Sequence, residues 1–535
     1  MRTSLKSVLA LAAAGTFAIG AAAASALAVP ATRAAKQQVT PRAATPIKHV
    51  VVIFQENVSF DHYFGTYPNA ANTDGQPFHA KPGTPAVNGL SGALLTHNPN
   101  EDNPRRLSPS QALTCDQDHA YTAEQKAFDD GRMDKFVQFT GNSSCTAPAA
   151  HPAGLVMDYF DGNSVTGLWN YAQRFSLTDD SFDAQFGPST PGALNLVSGQ
   201  THGAVGLNAA GHVVPDPGVI GTPDASGVGT LYNDQDPYFD DCSNHTGVPT
   251  TGPMIKMTGQ NIGDLLNAKR ITWGWFEGGF APTGTTASGT AVCGATHTNI
   301  GGAAVADYIP HHEPFEYYAS TANPHHVAPK NVAEVGHNGP ANHQYDLSWF
   351  GKALDSGNLP TVSFLKAPAY QDGHAGYSDP IDEQHFLVAT INSIERSAYW
   401  HNSAIVINYD DSDGWYDHVM PPIINPSADP ATDALNGPGV CANGARLGGY
   451  QDRCGHGQRL PMLVISPYAK VNYVDSTRTD QTSIIGFIED NWLGGRRIGG
   501  GSYDALAGSL NGMLSFRHPD FRPLILNPET GEPGT

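Results

Sequence analysis

The sequence predicts an α/β fold: a mostly parallel central sheet flanked by helices, with long loop insertions. Short β-branched runs recur at 50–54, 271–276, 361–364, 405–408 and 462–466, each the length of a buried strand. Amphipathic helical patterns lie between or after them. One covers 383–399, with Phe386, Leu387, Ile391 and Ile394 on one face; another covers 482–492, with Ile484, Ile485 and Ile488. Strands alternating with such helices build a parallel sheet covered on both faces. Gly, Pro, Asn, Asp and Thr crowd 66–110, 200–255 and 278–340, and these read as long excursions from one core rather than as separate domains.

Residues 1–28 read as a secretory signal peptide. Arg2 and Lys6 form the charged start, an Ala-rich apolar stretch follows, and Ala26-Leu27-Ala28 is an A-x-A cleavage site. The start lacks an Arg-Arg pair, which favours the general export route. Residues 29–46 then form a flexible leader, 47–520 a single catalytic domain, and 521–535 a Pro-rich tail. No second run of about 18 apolar residues occurs, so no transmembrane segment is expected. The destination is periplasmic or extracellular. The six cysteines fit it. Nearest-neighbour pairing is the cheapest connectivity, though the sequence leaves it open; the competing zinc reading lacks a C-x-x-C.

The formal charge is -21. Without Arg2 and Lys6 it becomes -23, 27 basic residues against 50 acidic. That balance argues against nucleic acid and against docking on anionic membranes. It permits a small phosphorylated substrate or a phospholipid headgroup.

Three segments carry chemistry. The run 50–54 ends in Glu56 and Asn57, followed by the aromatic cluster Phe60, His62, Tyr63 and Phe64. Ligands of open α/β sheets gather at the carboxyl ends of strands, but an Asn/Glu turn explains the pair equally well on spacing alone. The run 405–408 leads into Tyr409-Asp410-Asp411-Ser412-Asp413-Gly414-Trp415-Tyr416-Asp417-His418. Adjacent aspartates repel unless a cation or an arginine neutralises them. An EF-hand fails on register, because Tyr409 and Met420 would occupy its first and last positions; a plain acidic turn stays open. Finally, Phe186-Gly187-Pro188-Ser189-Thr190-Pro191 reads as a tight turn into a helix. Pro191 suits the first helical position and Ser189 stands just before it. There the free N–H groups favour an anion, while a simple N-cap serine is the bland alternative.

In chain order the segments resemble the Glu-Asn-x-Ser-Phe-Asp-x-Tyr-Phe-Gly, Gly-Pro-[Thr/Ser]-x-Pro and Tyr-Asp-[Asp/Glu]-x-x-Gly-[Phe/Trp]-[Phe/Tyr]-Asp-His motifs of a bacterial phosphoesterase family. That family holds the non-specific phospholipases C and the respiratory-burst-inhibiting acid phosphatases. The resemblance runs from about Lys48 to Trp492 and implies an alkaline-phosphatase-like fold. It makes Ser189 the nucleophile and a metal ligand, with Glu56, Asn57, Asp410 and Asp411 as the other ligands. An oxygen-rich set suits one divalent metal ion, with calcium, magnesium or manganese favoured and zinc kept as an alternative. Matching motifs add His119, His312 (preferred over His311) and His374 as donors to the phosphoryl oxygens; His343 and His418 are less certain members. Three departures stand out: Val58 replaces the motif's Arg, Gly192-Ala193 replaces Asn-Arg, and Gln481 replaces the His of Asp-His-Thr-Ser. The lipase elbow Gly-x-Ser-x-Gly is absent.

The expected activity is therefore an exported, metal-dependent phosphoesterase working through a phospho-serine intermediate. Ser189 with Asp410-Asp411 resembles the acid phosphatases, so phosphomonoester hydrolysis is the first expectation. Histidine donors would make its rate rise as pH falls from about 8 to about 6. A phospholipase C cleaving phosphatidylcholine-type lipids is the alternative, with Phe60, Tyr63, Trp415 and Tyr416 lining a shallow mouth. A non-catalytic secreted binding protein is the second alternative.

Overall fold

All five strand runs enter one eight-stranded sheet in a computed structural model of the chain, which describes residues 43–145, 152–215, 218–243 and 254–534. The signal peptide 1–28 and all of the leader before residue 43 lie outside the described residues. The strands are β1 (His49–Gln55), β2 (Ser176–Thr178), β3 (Trp273–Glu277), β4 (Gln344–Asp346), β5 (Val362–Lys366), β6 (Ser403–Tyr409), β7 (Met462–Ile465) and β8 (Tyr473–Asp475). Their order is β4-β3-β5-β1-β6-β7-β2-β8. Every neighbouring pair is parallel except those of β7, which runs against both β6 and β2. The three strands without a sequence signal, β2, β4 and β8, are three residues each. No hydrophobic period registers over so short a span.

The central strands are buried on both faces, as a parallel sheet requires: Val50 to Phe54 and Ile405 have no exposure. Three helices matter for the site: α1 (Ser189–Ser198), α2 (Pro380–Arg396) and α3 (Thr482–Trp492). The second begins three residues earlier than its hydrophobic pattern suggests. Asp379 caps it by accepting from the amides of Ile381 and Asp382, and Pro380 takes the first helical position.

The excursions are not structureless. Residues 202–257 contain a four-stranded antiparallel sheet, ordered Ile220–Gly221, Val228–Leu231, His202–Leu207, Met254–Met257. Residues 284–306 form two hairpins, Gly284–Thr285 with Ala291–Val292 and Thr296–Thr298 with Ala304–Ala306. All six cysteines pair with their nearest neighbours, Cys115–Cys145, Cys242–Cys293 and Cys441–Cys454, which leaves no thiol for a zinc site. The Pro-rich tail is not loose: Leu526 is buried, and Asn392 of α2 exchanges two hydrogen bonds with its backbone at 2.7 and 3.1 Å.

Buried carboxylates set how stability depends on pH. Burial pushes Asp158 and Glu395 up to about 8 and Glu489 up to about 9. Unfolded carboxyls titrate near about 4. The folded state therefore binds more protons, so this contribution is complete below about pH 4 and is lost as pH rises toward about 9. The melting temperature should fall by several degrees from about pH 5 to about pH 8 at constant ionic strength. A calorimetric Tm that climbed over that interval would contradict the assignment.

Candidate active site

Register brings the two acidic segments together. β1 and β6 are parallel neighbours with Gln55 opposite Tyr409, so Glu56-Asn57 and Asp410-Asp411 leave the sheet side by side. The exits interlock: Asn57 N donates to Asp410 Oδ1 at 2.9 Å, Asp411 N donates to the same oxygen at 2.8 Å, and Val58 N donates to Asp411 O at 2.9 Å. Asn57 has φ 52°, a left-handed conformation that asparagine tolerates better than most residues. Strain of this kind gathers at functional sites.

α1 closes the other side. A Cβ on Gly192 would stand 2.1 Å from the Asp410 carbonyl oxygen, so only glycine lets this helix press onto the acidic exit. Where the family motif has a polar side chain, this chain has backbone contact instead. Gln481 completes the clamp: its amide donates to Asp410 O at 2.5 Å while its oxygen accepts from Ala184 N at 2.8 Å. It ties the strand exit to the segment that leads into α1.

Ser189 is the first residue of α1 and is 2 % exposed. It does not cap the helix. Its hydroxyl faces Glu56 Oε2 and Asp411 Oδ2, both at 3.1 Å, and the amide of Thr190 is taken instead by Asp234 Oδ1 at 2.8 Å. One hydroxyl proton cannot serve two carboxylates. Burial, then the neighbouring Asp410, raises Asp411 well above the usual carboxylate range. Oxygens converging in this way suit a cation.

Lys366, absent from the sequence-derived set, is the last residue of β5 and is 1 % exposed; its Nζ contacts Glu56 Oε1. Glu56 thus gives one oxygen to a lysine and turns the other onto Ser189. Asp411 behaves likewise, with Oδ1 accepting from Asp413 N at 2.6 Å. With the Asn57 side-chain amide turned one way, its NH2 donates to Glu56 Oε2 at 2.7 Å. The opposite orientation puts its oxygen 3.4 Å from Ser189 Oγ, the arrangement a cation would select.

All three chosen histidines stand around this cluster, in two protonation classes. His119 Nδ1 lies 3.2 Å from Asp413 Oδ1. Burial works against its charge, but Asp411 and Asp413 outweigh burial and hold its pKa well above the usual value. His312 Nε2 lies 3.3 Å from Glu56 Oε2. Burial, then the adjacent His311 and His374, keep His312 well below the usual value. His374 binds Ala375 O through Nδ1 at 2.6 Å, and burial pushes it down to about 4. The carboxylates around His119 favour its protonated form, whereas burial favours the neutral form of His312 and His374. His311 faces Asp236 at 3.4 Å, which together with Asp234 raises its pKa against burial.

Two further histidines lie elsewhere. His343 stacks on Trp273 at 4.4 Å and bonds Trp273 O and Asn338, a core role. His418 pairs with Asp61 at 2.6 Å beside the buried Arg459, which also binds Asp61 and Asp417; the guanidinium already supplies the cation there. The aromatic mouth is not formed either. Phe60, Tyr63, Trp415 and Tyr416 are at most 2 % exposed, with Trp415 stacked on His62 at 3.9 Å.

Glu56, Asn57 and Asp411 turn oxygens onto Ser189, donors of the type a hard divalent cation takes, while Asp410 Oδ1 is spent on the amides of Asn57 and Asp411. A second group, Asp116, His119, His374 and Asp413, has ligand atoms within 4.8 Å of one another, and its imidazoles would favour a softer metal.

The model of the Phosphoesterase family matches residues 47–493. The non-hemolytic phospholipase C of Pseudomonas aeruginosa is 24% identical over 518 residues, covering 91% of this chain and 60% of its own length. Phospholipase C B of Mycobacterium tuberculosis is 22% identical over 454 residues, covering 83% of this chain and 73% of its own. A solved structure of a protein in the alkaline phosphatase superfamily from Vibrio parahaemolyticus is 9% identical, with a TM-score of 0.31 over 85% of this chain and 68% of that one.

Proposed function

Starting from a chain that belongs to the Phosphoesterase family, we propose a metal-dependent phosphodiesterase of the phospholipase C type, acting on zwitterionic phospholipids. The observation that carries the reading is Ser189 Oγ set between Glu56 and Asp411 at the start of α1. Glu56, Asn57, Asp410, Asp411 and Ser189 would hold the cation. When bound, it supplies Lewis-acid charge that favours the ionised serine. Ser189 Oγ, its own proton released to solvent, attacks phosphorus; the bond from phosphorus to the glycerol oxygen breaks, and diacylglycerol leaves with a proton given by the protonated His119. His312 donates to a remaining phosphoryl oxygen; His374, whose one N–H is spent on Ala375 O, stands beside His119 with ring centroids 6.2 Å apart. Water then cleaves the phospho-serine ester and releases the phosphorylated headgroup.

Both relatives carry the phospholipase C name, which favours this alternative over the acid phosphatase expectation, although the chain spans only 60% of the Pseudomonas protein. The electrostatics agree. A phosphomonoester brings about two negative charges near neutral pH and a diester one. Two of the three site histidines are neutral, and Asp234 and Asp236 stand beside the nucleophile helix. Such a rim disfavours a dianion and tolerates a cationic headgroup. The three disulfides suit a compartment outside the cytoplasm; among the described residues no helix is long and apolar enough to cross a membrane.

The deciding measurement compares diacylglycerol release from phosphatidylcholine with phosphate release from p-nitrophenyl phosphate, at equal concentration and pH. Lipid turnover should exceed phosphate release. The reverse order would restore the acid phosphatase reading.

A further inference from the structure

From Gly278 to Ala306 the chain contains no Asp, Glu, Lys or Arg, in a protein where 15% of residues are charged. Charge-free stretches normally belong to cores. This one is mostly exposed: it forms the two hairpins Gly284–Thr285/Ala291–Val292 and Thr296–Thr298/Ala304–Ala306. Val292 is 41% and Ile300 52% exposed. The one imidazole of the stretch, His297, is turned onto Asp307 at 2.7 Å, and a chain carrying a net charge of -21 keeps itself soluble with charge elsewhere, so a protrusion of this kind suits a partner without net charge.

The second hairpin is held in place and reaches His374 of the site through one residue, Tyr377. In its turn, Asn299 N donates to Ala303 O and Ala303 N to Asn299 Oδ1, both at 3.0 Å. Asn299 Nδ2 donates to Tyr377 O at 3.0 Å, and the Tyr377 ring stacks on His374 at 4.3 Å. Ile300 N donates to Asp382 Oδ2 at 2.8 Å, and the base of the first hairpin is fixed by Cys242–Cys293. Ile300 is thereby presented to solvent one residue from a contact with the site wall.

We propose that this uncharged hairpin pair, with Ile300 at its tip, is the surface through which the enzyme sits on a zwitterionic lipid interface. The proposal rests on the phospholipase reading of the site. An interface takes up isolated aliphatic side chains and small uncharged residues without the cost of burying ions, and the net negative charge of the chain selects against anionic bilayers. Contact at this tip would bring the lipid surface to the side of the site where His374 stands, so a headgroup need not leave the interface far behind.

The test uses the full chain and the variants Ile300→Asp, Ile300→Leu and Val292→Asp. Rates are read on vesicles of pure phosphatidylcholine and on soluble p-nitrophenyl phosphorylcholine, and sedimentation with the same vesicles is measured separately. Ile300→Asp should lower vesicle turnover about tenfold or more, since it replaces an inserted aliphatic group with a charge. It should leave the soluble rate unchanged, and Ile300→Leu should behave as wild type. Adding phosphatidylserine to the vesicles should weaken wild-type sedimentation. Equal loss on both substrates, or an unchanged vesicle rate, would overturn the proposal. A wild type that cleaves no vesicle lipid would defeat the phospholipase reading instead. Sedimentation would then decide the surface by itself: binding abolished by Ile300→Asp upholds it, and absence of wild-type binding ends it.

Discussion

Ser189→Ala should lower turnover by about a thousandfold or more while leaving the protein folded. The hydroxyl touches only Glu56 and Asp411, with the Asn57 amide nearby, and caps no backbone amide. Its loss therefore removes about one hydrogen bond, on the order of 1 kcal/mol, and opens no cavity of consequence. The helix start is held independently, by Asp234 on Thr190 N and by Gly192 packed on Asp410. Chemistry has no such substitute. Among the described residues Ser189 is the hydroxyl that both carboxylates face, and water would have to take its place without that alignment. Purified variant should show an unchanged melting temperature within a degree or two and almost no phosphoester cleavage. More than about a tenth of the wild-type rate would move the nucleophile elsewhere.

How far the sequence could reach follows from what each signal measures. The buried strands β1, β5 and β6 announce themselves because a two-sided parallel strand is a continuous apolar run. Glu56-Asn57 and Asp410-Asp411 stand where those runs stop, which makes them candidates by position, but the family resemblance, not the spacing, singles them out as ligands. Their adjacency was not legible, since it depends on the pairing of Gln55 with Tyr409 across 354 residues. Lys366 was within reach of the same rule. It stands two residues beyond the run 361–364, at the end of the strand that forms there, where the same rule about strand ends points. Phe60, Tyr63, Trp415 and Tyr416 misled for the opposite reason: aromatics next to ligands look like a mouth, whereas bulk and planarity place them in the core. Composition cannot separate the two.

Gln481 shows how a departure from a motif can be structural rather than a loss. A histidine there would offer an acid. The glutamine instead uses both ends of its amide, on Asp410 O and Ala184 N, and so fixes the spacing between the acidic exit and the nucleophile helix. Lys366 plays a comparable part on the far side. It engages one oxygen of Glu56, so that five nearby buried carboxylates, Glu56, Asp372, Asp410, Asp411 and Asp413, face two cationic side chains, Lys366 and the protonated His119, and burial pushes Asp372, Asp411 and Asp413 up toward protonation. That deficit is the physical reason to expect a bound metal.

The double variant Asp410→Asn/Asp411→Asn tests that deficit directly. Asparagine keeps an oxygen for the amides of Asn57, Asp411 and Asp413, so the strand exit should hold its shape while two negative charges disappear. In the absence of metal, relief of repulsion should leave the variant at least as stable as wild type. With metal added, only wild type should gain: a cation at about a hundred times its Kd stabilises the folded state by about 2.7 kcal/mol. Elemental analysis of protein purified without added salts should find about one divalent ion per chain in wild type and almost none in the variant, and phosphoester cleavage should fall with it. Metal retained at full stoichiometry by the variant would relocate the cation, most directly to Asp116, His119, His374 and Asp413, whose ligand atoms lie within 4.8 Å of one another. In that case the histidines would be ligands rather than donors to phosphate, and His119→Ala, not the aspartate pair, would strip the ion.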